Sequence, residues 1–318
     1  MTENDLEKII AIFEEGSMAK AAQKLFITQP ALSKSLAKVE KELGEVLFIR
    51  SNNGLIPTYA GKYFVEKAYQ IMKLYEDVRV EFCELNHMRK GTLKLGSAER
   101  IGALLLPELL KKFSARYPNI QIDIVEENSH TLEEKLLMGA IDLAIICLPL
   151  RNANISYKVF YRGPIYLGIP KDSPLNGRSY AKAGEKMKYM DLQNVLQEKF
   201  ILTKPIKKTR MAADRILKKT GQKYTVSIES RNIETTMRLV AGGMGISLIP
   251  DIYTRCYDTG NEISYYRLEE KYDSYWEWAV IYNGDIEHLT RPSRELYNII
   301  CQEGCKFPTY LLSRPGSI

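Results

Sequence analysis

The chain has 318 residues, of which 45% are hydrophobic, and its 45 Lys and Arg against 39 Asp and Glu give a formal net charge of +6. This length is sufficient for more than one domain with a sizeable core. The N-terminus is acidic and amphipathic, and no run approaches the ~18 apolar residues of a membrane-spanning helix, so we expect no secretory signal and no membrane contact. The composition therefore predicts a cytoplasmic, multidomain protein.

The positive charge is concentrated rather than spread along the chain. Residues 1–90 contain 13 Lys plus Arg and 13 Asp plus Glu, so this part carries no net charge. Within it, residues 16–39 contain four lysines and no acid. A local cluster of this kind predicts a focused, salt-dependent contact with phosphates such as those of nucleic acid.

A short helix and a second, longer helix, joined by a tight turn, are predicted from Ser17 onward. Ser17 is a favourable N-cap for a helix that ends near Leu25, and Thr28 is a favourable N-cap for a second helix that ends before Gly44. Pro30 fits the first turn of the second helix, where its missing N–H removes no intrahelical bond, and Gly44 fits the C-terminal stop. Helices joined this closely are typical of a helix-turn-helix.

The second helix has two distinct faces. The apolar face, which we expect to pack inward, consists of Leu32, Leu36, Val39 and Leu43. The opposite face carries Gln29, Pro30, Ser33, Lys34, Lys38 and Lys41. An amide and a hydroxyl near the start of a recognition helix read base edges, whereas lysines contact phosphates or guanine. These faces predict DNA binding; the alternative is an ordinary solvated pair of amphipathic helices.

The N-terminal region carries a specific combination of apolar, small and polar residues. Its members are Leu6, Ile9, Ile10, Phe13, Gly16, Ser17, Ala21, Ala22, Leu25, Gln29, Pro30, Ala31, Leu32, Ser33, Glu40, Leu43, Gly44, Leu47, Phe48, Arg50, Thr58, Ala60 and Gly61. In this combination the chain resembles the LysR-type transcriptional regulators.

The resemblance implies roles for individual residues of the helix-turn-helix. The residues that it places in the major groove are Gln29, Pro30, Ser33 and Lys34. It places Thr28 and the segment around Arg50 on the DNA backbone. We add Ser17, the cap of the first helix, and Lys38 to the candidate DNA-binding residues. The wing, residues 51–54, lacks a further basic residue that family members often have, so we expect weaker wing contacts.

A heptad pattern follows the helix-turn-helix. Its apolar positions, which are spaced alternately by four and three residues, are Phe64, Ala68, Ile71, Tyr75, Val78, Phe82 and Leu85. No Pro or Gly interrupts residues 62–90, which as a helix would span about 40 Å. Such a seam pairs helices, so we predict a dimerising linker helix. An amphipathic helix that lies on its own domain is the alternative. A two-fold dimer predicts an imperfect palindrome whose half-sites are about 34 to 36 Å, or a multiple, apart.

Strands and helices alternate from Gly91 onward. Strands are expected at 92–96, 120–125, 142–147, 165–170, 200–203, 224–228 and 246–250, and helices at 103–117, 129–138, 208–220, 234–241 and about 287–302. This alternation indicates α/β construction with parallel strands. The resemblance implies two Rossmann-like lobes of the type 2 periplasmic-binding-protein kind, with a ligand cleft between them.

The predicted fold class is α+β multidomain. Residues 1–60 form a winged helix-turn-helix DNA-binding domain, 61–90 the dimerising linker helix, 91–306 a bilobed α/β effector-binding domain, and 307–318 a C-terminal tail. Lobe I is expected at about 91–162 and 268–306, and lobe II at about 163–267.

Candidate effector-binding residues follow from a rule for open α/β sheets. Ligands bind beyond the carboxyl ends of the strands, near helix N-termini that favour anions. The residues selected by this rule are Ser97, Glu99, Arg100, Ser129, His130, Thr131, Thr203, Lys204, Gly245 and Ile246. The strongest candidates are Ser97, Thr131 and Thr203, because the resemblance implies that hydroxyls and backbone N–H groups hold a carboxylate or a ring.

Several of these candidates have a second interpretation. Glu99 and Arg100 either bind a charged effector or pair with each other, and His130 either caps a helix or faces the effector. Cations from Lys204 to Arg210 either form a solvated helix face or attract an anionic metabolite.

The chain has an odd number of cysteines, which are Cys83, Cys147, Cys256, Cys301 and Cys305. In a reducing compartment we expect free structural thiols. Cys301 and Cys305 share a helix face, so a thiol sensor or half of a metal site is the alternative. We expect no metal and no cofactor.

Sequence patterns of catalysis are missing. The chain has no GxSxG, no phosphate-binding GxxxxGK[ST], no HExxH, and only three histidines, so we expect no enzyme. We predict a LysR-type regulator, a homodimer and further a homotetramer, whose operator binding changes with a small-molecule effector; RNA polymerase is a further candidate partner. The alternatives are a thiol-responsive regulator of the same family and a DNA-binding protein whose lobes only oligomerise.

Overall fold

The computed structural model describes residues 1–51, 54–85, 91–257 and 259–306, with the backbone alone for residues 80–85 and 99–101. The chain forms two compact units. Unit 1 comprises Met1–Ile145, Arg151–Ser156 and Ile281–Tyr297. Unit 2 comprises Ile146–Leu150, Tyr157–Val280 and the chain from Asn298 onward.

The N-terminal part of unit 1 is a helix-turn-helix with a two-stranded wing and a long helix. Its elements are α1 (Glu3–Glu15), α2 (Met18–Lys24), α3 (Gln29–Leu43), β1 (Phe48–Ser51), β2 (Gly54–Pro57) and α4 (Tyr59–Leu85). Ser17 and Thr28 occupy the N-cap positions of α2 and α3, and Gly44 ends α3 with a φ of 73°. The wing strands are antiparallel, with Ile49 opposite Ile56. Both predicted helices and the turn between them are therefore present.

A small core holds this part together. The buried members are Ile9, Ala11, Ile12, Ala21, Ala22, Leu32, Val39, Leu47, Phe48 and Val65. Leu32 and Val39 belong to the predicted apolar face of α3, and Leu36 packs against the same core. Leu43, the fourth residue of that face, is 43% exposed. The prediction for Leu43 was wrong because α3 ends there and the glycine cap turns the chain away.

The long helix α4 begins at Tyr59, two residues before the predicted boundary at 61, and spans about 40 Å. The approach of α4 to the wing is close, since a Cβ on Gly61 would lie 2.0 Å from the Leu47 carbonyl oxygen. Thr58 fixes the same junction, because its backbone N–H donates to the Leu47 carbonyl oxygen at 2.9 Å. The last predicted residues of the linker, 86–90, lie outside the described part.

The rest of unit 1 is α/β. It contains β3 (Gly91–Ala98), α5 (Glu99–Arg116), β4 (Ile120–Glu127), α6 (Ser129–Leu137) and the start of β5 (Leu143–Cys147). Strand β3 is parallel to both neighbours, with Leu93 opposite Ile122 and Ser97 opposite Ile145. Parallel pairing joined by helices is the predicted α/β pattern. The carboxyl ends of β3 and β4 therefore lie at one edge, where α5 and α6 begin.

Unit 2 contains most of the remaining elements, of which β6 begins with two residues of unit 1. They are β6 (Ile155–Pro170), β7 (Lys199–Thr203), α7 (Lys208–Lys218), β8 (Thr225–Ser230), α8 (Ile233–Ala241), β9 (Ser247–Pro250), α9 (Asp251–Cys256), β10 (Ile263–Tyr266), β11 (Tyr275–Asn283) and α10 (Arg291–Glu303), with β11 and α10 contributing residues to both units. Strand β6 is antiparallel to β9 and β10, whereas β7 is parallel to β8.

Three features of these elements differ from the sequence prediction. Strand β6 begins at Ile155 and is therefore longer than the predicted 165–170, with Pro164 inside it. Strands β10 and β11 were not predicted. Helix α10 begins at Arg291 rather than near residue 287, which places Pro292 in the first turn where it is tolerated. The fold class nevertheless agrees with the prediction: a winged helix-turn-helix, a long linker helix and an α/β effector domain.

Among the described residues, no helix combines the length and the apolar character needed to cross a lipid bilayer.

Candidate nucleic-acid interface and effector site

The outward face of α3 carries the predicted base-reading side chains. Gln29, Pro30, Ser33 and Lys34 are all exposed, whereas Leu32 on the opposite face is fully buried. Gln29 and Pro30 form the first turn of the helix. A helix that is fixed along one face and offers an amide, a hydroxyl and an ammonium group along the other has the form of a recognition helix.

The two N-cap residues are used differently. The Ser17 hydroxyl accepts from the Lys20 backbone N–H at 3.5 Å, so it serves the start of α2. Thr28 is exposed and its hydroxyl makes no capping hydrogen bond. The Thr28 hydroxyl therefore remains available for a phosphate oxygen at the start of α3, where the helix dipole also favours an anion.

Lys38 has a partner within the chain. Its ammonium group lies 3.1 Å from Oδ2 of Asp5, a carboxylate that is 5% exposed and also accepts from the Thr2 backbone N–H and hydroxyl. Burial alone would raise the pKa of Asp5, but the hydrogen bonds from Lys38 and Thr2 outweigh burial and lower it below its ordinary value. The predicted phosphate contact of Lys38 therefore shares this ammonium group with a structural ion pair.

The cations of α3 lie together on one shallow depression. Its lining consists of Lys34, Ala37, Lys38, Lys41 and Glu42. Glu42 is the acid of this set, and it accepts from the ammonium group of Met1 at 2.9 Å. The surface therefore stays predominantly positive, which favours a polyanion.

Arg50 is exposed on β1, the first strand of the wing. The start of this strand is fixed by Glu40, whose Oε1 accepts from the backbone N–H groups of Leu47 and Phe48 at 2.7 and 3.3 Å. Two of the four wing-tip residues, 52 and 53, lie outside the described part.

One exposed residue of the turn was not selected from the sequence. Phe26, between α2 and α3, is 97% exposed and has a φ of 54°. A positive φ is uncommon for a residue with a side chain. The turn places the Phe26 ring in solvent beside the start of α3. The sequence offered one indication of this exposure, which is that Phe26 lies in the two-residue connection predicted between the helices.

The predicted dimerisation seam divides into two parts. Ala68 is 1% exposed, and Phe64 packs against the core of the helix-turn-helix. Ala68 has almost no surface left for a second helix, which corrects its assignment. Ile71, Tyr75 and Val78 are 37%, 48% and 57% exposed. The side chain of Phe82 lies outside the described part.

Leu74, which the heptad did not include, is 65% exposed on the same helix. With Ile71, Tyr75 and Val78 it forms an apolar stripe of α4 that no part of this chain covers among the described residues. The signal for Leu74 was present in the sequence, since it lies three residues after Ile71 and four before Val78.

In unit 1, the candidate effector residues lie at the carboxyl ends of β3 and β4. Ser97 is fully buried, and Ser129 and Thr131 lie in the first turn of α6. Asn128 caps this helix: its Oδ1 accepts from the backbone N–H groups of His130 and Thr131 at 3.1 and 3.2 Å, and its Nδ2 donates to the Thr131 hydroxyl at 2.9 Å. Because that hydroxyl already accepts, its own hydrogen is free to donate to an effector oxygen.

Asn128 was missed from the sequence, although an Asn directly before a helix is a strong capping signal. His130 is not the cap; it is exposed, with Nε2 at 3.5 Å from Glu134 Oε1. Glu99 and Arg100 lie in the first turn of α5, and their side chains are outside the described part.

In unit 2, Thr203 ends β7 and is 3% exposed, with its hydroxyl 2.6 Å from that of Thr209. Lys204 is exposed. Gly245 lies so close to β7 that a Cβ would be 2.3 Å from the Lys199 carbonyl oxygen. Ile246 is 1% exposed, and both its backbone N–H and its carbonyl bond to β7. Ile246 is therefore buried against β7, and its role as an effector residue stays a prediction.

The cations near Thr203 are largely used within unit 2. Arg210 pairs with Asp214 and Glu229 and donates to the Thr203 carbonyl oxygen at 3.1 Å. Lys208 donates to the Pro149 carbonyl oxygen. Lys208 and Arg210 therefore stabilise their own unit, and Lys204 is the exposed cation beside Thr203.

Four cysteines fall in the described part with their side chains, and none of them is in a disulfide. Cys147 is buried, and burial raises the pKa of its thiol well above the ordinary value. Cys301 and Cys305 do not form a disulfide. No group of three or more His, Cys, Asp or Glu side chains able to hold a metal occurs among the described residues.

Two family models match the chain. The model for the bacterial regulatory helix-turn-helix protein of the lysR family matches residues 4–62, and the model for the LysR substrate binding domain matches residues 86–296. The second match covers more than half of the chain.

Individual relatives agree with these matches. The uncharacterized HTH-type transcriptional regulator YcgK of Bacillus subtilis strain 168 is 30% identical over 264 residues, which are 80% of this chain and 82% of that protein. Full-length OxyR from Pseudomonas aeruginosa, solved as a variant with one cysteine replaced by aspartate, is 25% identical with a TM-score of 0.72 and covers 96% of both chains.

Full-length CbnR in complex with its target DNA is 20% identical with a TM-score of 0.62 and covers 95% of this chain and 99% of that one, a likeness of fold. The matched domains, the recognition-helix geometry and the similarity to YcgK lead to one conclusion. The chain belongs to the LysR family of bacterial transcriptional regulators, and it joins the DNA-binding helix-turn-helix of that family to the family's substrate-binding domain.

Proposed function

We propose that this LysR-family regulator reads its operator through Gln29, Ser33 and Lys34 of α3. The observation that carries this proposal is the division of α3 into a buried face and an exposed face whose first turns hold an amide, a hydroxyl and an ammonium group. Gln29 pairs with adenine, Ser33 with a base edge and Lys34 with guanine or phosphate. Pro30 shapes the first turn, while Thr28, Lys38 and Arg50 contact phosphates.

The regulator acts as a dimer through α4. Four exposed apolar side chains, Ile71, Leu74, Tyr75 and Val78, support this assignment because their burial in a helix pair would remove them from water. A two-fold dimer presents two α3 helices, so its operator is an imperfect palindrome. A homotetramer built from two such dimers, and contact with RNA polymerase, complete the proposed assembly.

The substrate-binding domain takes a small-molecule effector that carries an oxygen acceptor or an anionic group. Support comes from Thr131, whose hydroxyl has a hydrogen free to donate at the start of α6, and from Ser97, Ser129, Thr203, Lys204 and Gly245 at other strand ends. The described residues at the strand ends offer hydroxyls and backbone groups, so we assign the domain binding and no catalysis.

We keep the domain boundaries predicted from the sequence, with residues 1–60 for DNA binding, 61–90 for dimerisation and 91–306 for effector binding. A DNA-binding regulator of bacteria works beside its DNA, so we place the protein in the cytoplasm.

The DNA-binding proposal is tested by selection of duplexes from a random library with the full-length protein. We expect enrichment of one imperfect palindrome, and affinity for it should fall as salt rises. Enrichment of nothing beyond the input library would contradict sequence-specific reading.

The effector proposal is tested by thermal shift with a panel of small carboxylates on wild type, Thr131→Ala and Thr92→Ala. Thr92 lies near the start of β3, away from the carboxyl end, so its variant is a matched control. A ligand that stabilises wild type and Thr92→Ala but not Thr131→Ala supports the assignment. A ligand that stabilises all three equally would place the site elsewhere.

A further inference from the structure

Helix α6 has a different neighbour at each end. Its first turn holds Ser129 and Thr131, the proposed effector residues. The turn after its last residue approaches α4: a Cβ on Gly139 would lie 3.4 Å from Cβ of Lys73. Three residues further on, Asp142 pairs with the Lys73 ammonium group. The nine residues of α6, about 13 Å of helix, separate the two ends.

Asp142 is anchored on both of its oxygens. Oδ1 faces Lys73, and Oδ2 accepts from the Lys94 backbone N–H of β3 at 2.6 Å. The Asp142 backbone N–H in turn donates to the Lys94 carbonyl oxygen at 2.8 Å. The carboxylate that meets α4 is therefore bonded to strand β3 of the substrate-binding domain and moves with it.

One turn before Lys73, the same helix is tied to the helix-turn-helix. Tyr69 donates to Glu14 Oε1 at 2.5 Å, and Glu14 Oε2 lies 2.8 Å from the Lys24 ammonium group. Residues four apart lie on the same face of a helix. A short segment of α4 thus contacts α1 of the DNA-binding domain through Tyr69 and the end of α6 through Lys73.

The ion pair of Lys73 and Asp142 is partly buried. The side chains of Lys73 and Asp142 are 27% and 8% exposed, whereas those of Lys67 and Glu66 on the same helix are both 44% exposed. Burial alone would lower the pKa of Lys73, but Asp142 and Asp77 raise it above the ordinary value, so the amine is charged at neutral pH. Loss of one partner of such a pair is costly, whereas an exposed pair contributes little.

We propose that Lys73 is a positioning residue that couples the substrate-binding domain to the DNA-binding domain by holding the end of α6 on α4. The coupling starts at Thr131 and so rests on the proposed effector site. Binding at the carboxyl end of β3 and the first turn of α6 shifts this strand and helix together with Asp142, which is bonded to β3, and the Lys73–Asp142 contact transfers the shift to α4. Because coupling between two sites is reciprocal, DNA on α3 must also alter α6.

The reciprocal effect permits a test without an identified effector. Hydrogen exchange of residues 129–142 is measured by mass spectrometry with and without a short random-sequence duplex at low salt. The variants are Lys73→Met, Lys73→Arg and Lys67→Met, the last as an exposed lysine on the same helix. Fluorescence anisotropy with the same duplex measures DNA binding separately.

In wild type and Lys67→Met we expect the duplex to change exchange of residues 129–142 by about fivefold. Lys73→Met should bind the duplex with similar affinity and lose that change, and Lys73→Arg should recover it. A purely structural role would loosen the segment in both states and leave the response to DNA intact.

Two results would overturn the coupling. One is an unchanged response in Lys73→Met, and the other is no response in a wild type that binds the duplex. If Lys73→Met unfolds, Asp142→Asn, which keeps an acceptor for the Lys94 N–H, takes its place in the comparison. Failure of the duplex to bind wild type would instead contradict the proposed function.

Discussion

Replacement of Lys38 by Met should separate the two roles of this residue. Lys34 and Lys38 lie one turn apart on α3, and both are exposed cations beside the same depression. Only Lys38 neutralises a buried carboxylate, that of Asp5. We therefore expect Lys38→Met to weaken binding to operator and random duplex alike and to destabilise the fold, whereas Lys34→Met should leave the fold as stable as wild type.

The size of the stability loss follows from the exposure of the two partners. Breaking a fully buried pair costs roughly 3 to 5 kcal/mol and breaking an exposed pair about 0 to 1 kcal/mol. The Asp5 side chain is 7% exposed and that of Lys38 is 57% exposed, and Thr2 still donates twice to Asp5. An intermediate loss of about 1 to 2 kcal/mol is expected in Lys38→Met.

Urea unfolding measures this loss, and pH adds a control. The folded pKa of Asp5 is lowered from 3.8, so its stabilising contribution is present above that value and disappears as pH falls through the folded pKa. The difference between wild type and Lys38→Met should therefore be constant at neutral pH and shrink below about pH 4. Each lysine removed should also reduce the salt slope of DNA binding by about 1. A Lys38→Met protein as stable as Lys34→Met would refute the structural role.

Two further substitutions test the dimer formed through α4 and the buried carboxyl group of Asp251 in unit 2. Val78→Asp places a charge on an apolar side chain that is 57% exposed in the single chain, so it should leave the monomer folded and disrupt the dimer in sedimentation velocity; an unchanged dimer would reject the α4 seam. Asp251 is 4% exposed and accepts from the Tyr161 hydroxyl at 2.6 Å, and burial raises its pKa from 3.8. When folding raises the pKa of a carboxyl group, stability falls as pH rises from the unfolded-state pKa to the folded-state pKa. We therefore expect Asp251→Asn to be more stable than wild type at pH 7 by about 1 kcal/mol. This advantage should disappear near pH 4. Urea unfolding that shows the same difference at both pH values would contradict this.

The DNA-binding part of the fold was largely predictable because its signals are local. Ser17, Thr28 and Gly44 mark helix ends by their own backbone and side-chain preferences, and the spacing of Leu32 and Val39 reports the buried face. The predictions that failed in this part depended on tertiary contacts. Ala68 fits the heptad, yet it is buried by its own domain, since spacing does not say which partner covers an apolar face.

The effector domain was less predictable for physical reasons. Strand β11 is buried along Trp278–Ile281, so it lacks the alternation that marks a half-exposed strand. Strand β6 contains Pro164, and a proline inside a run argues against a strand, so the sequence pattern does not show where β6 begins. The contacts of Lys38 with Asp5 and of Lys73 with Asp142 join residues 33 and 69 positions apart, and a charge pattern along the chain contains no information about such pairs.

Base reading by α3 is tested by the ratio of the affinities for the selected palindrome and for a random duplex. Binding of Gln29→Ala and Ser33→Ala to the selected palindrome and to a random duplex is measured at one salt concentration. We expect a loss of about 1 to 3 kcal/mol on the palindrome for each variant, with little change on the random duplex. Equal losses on both duplexes would contradict it.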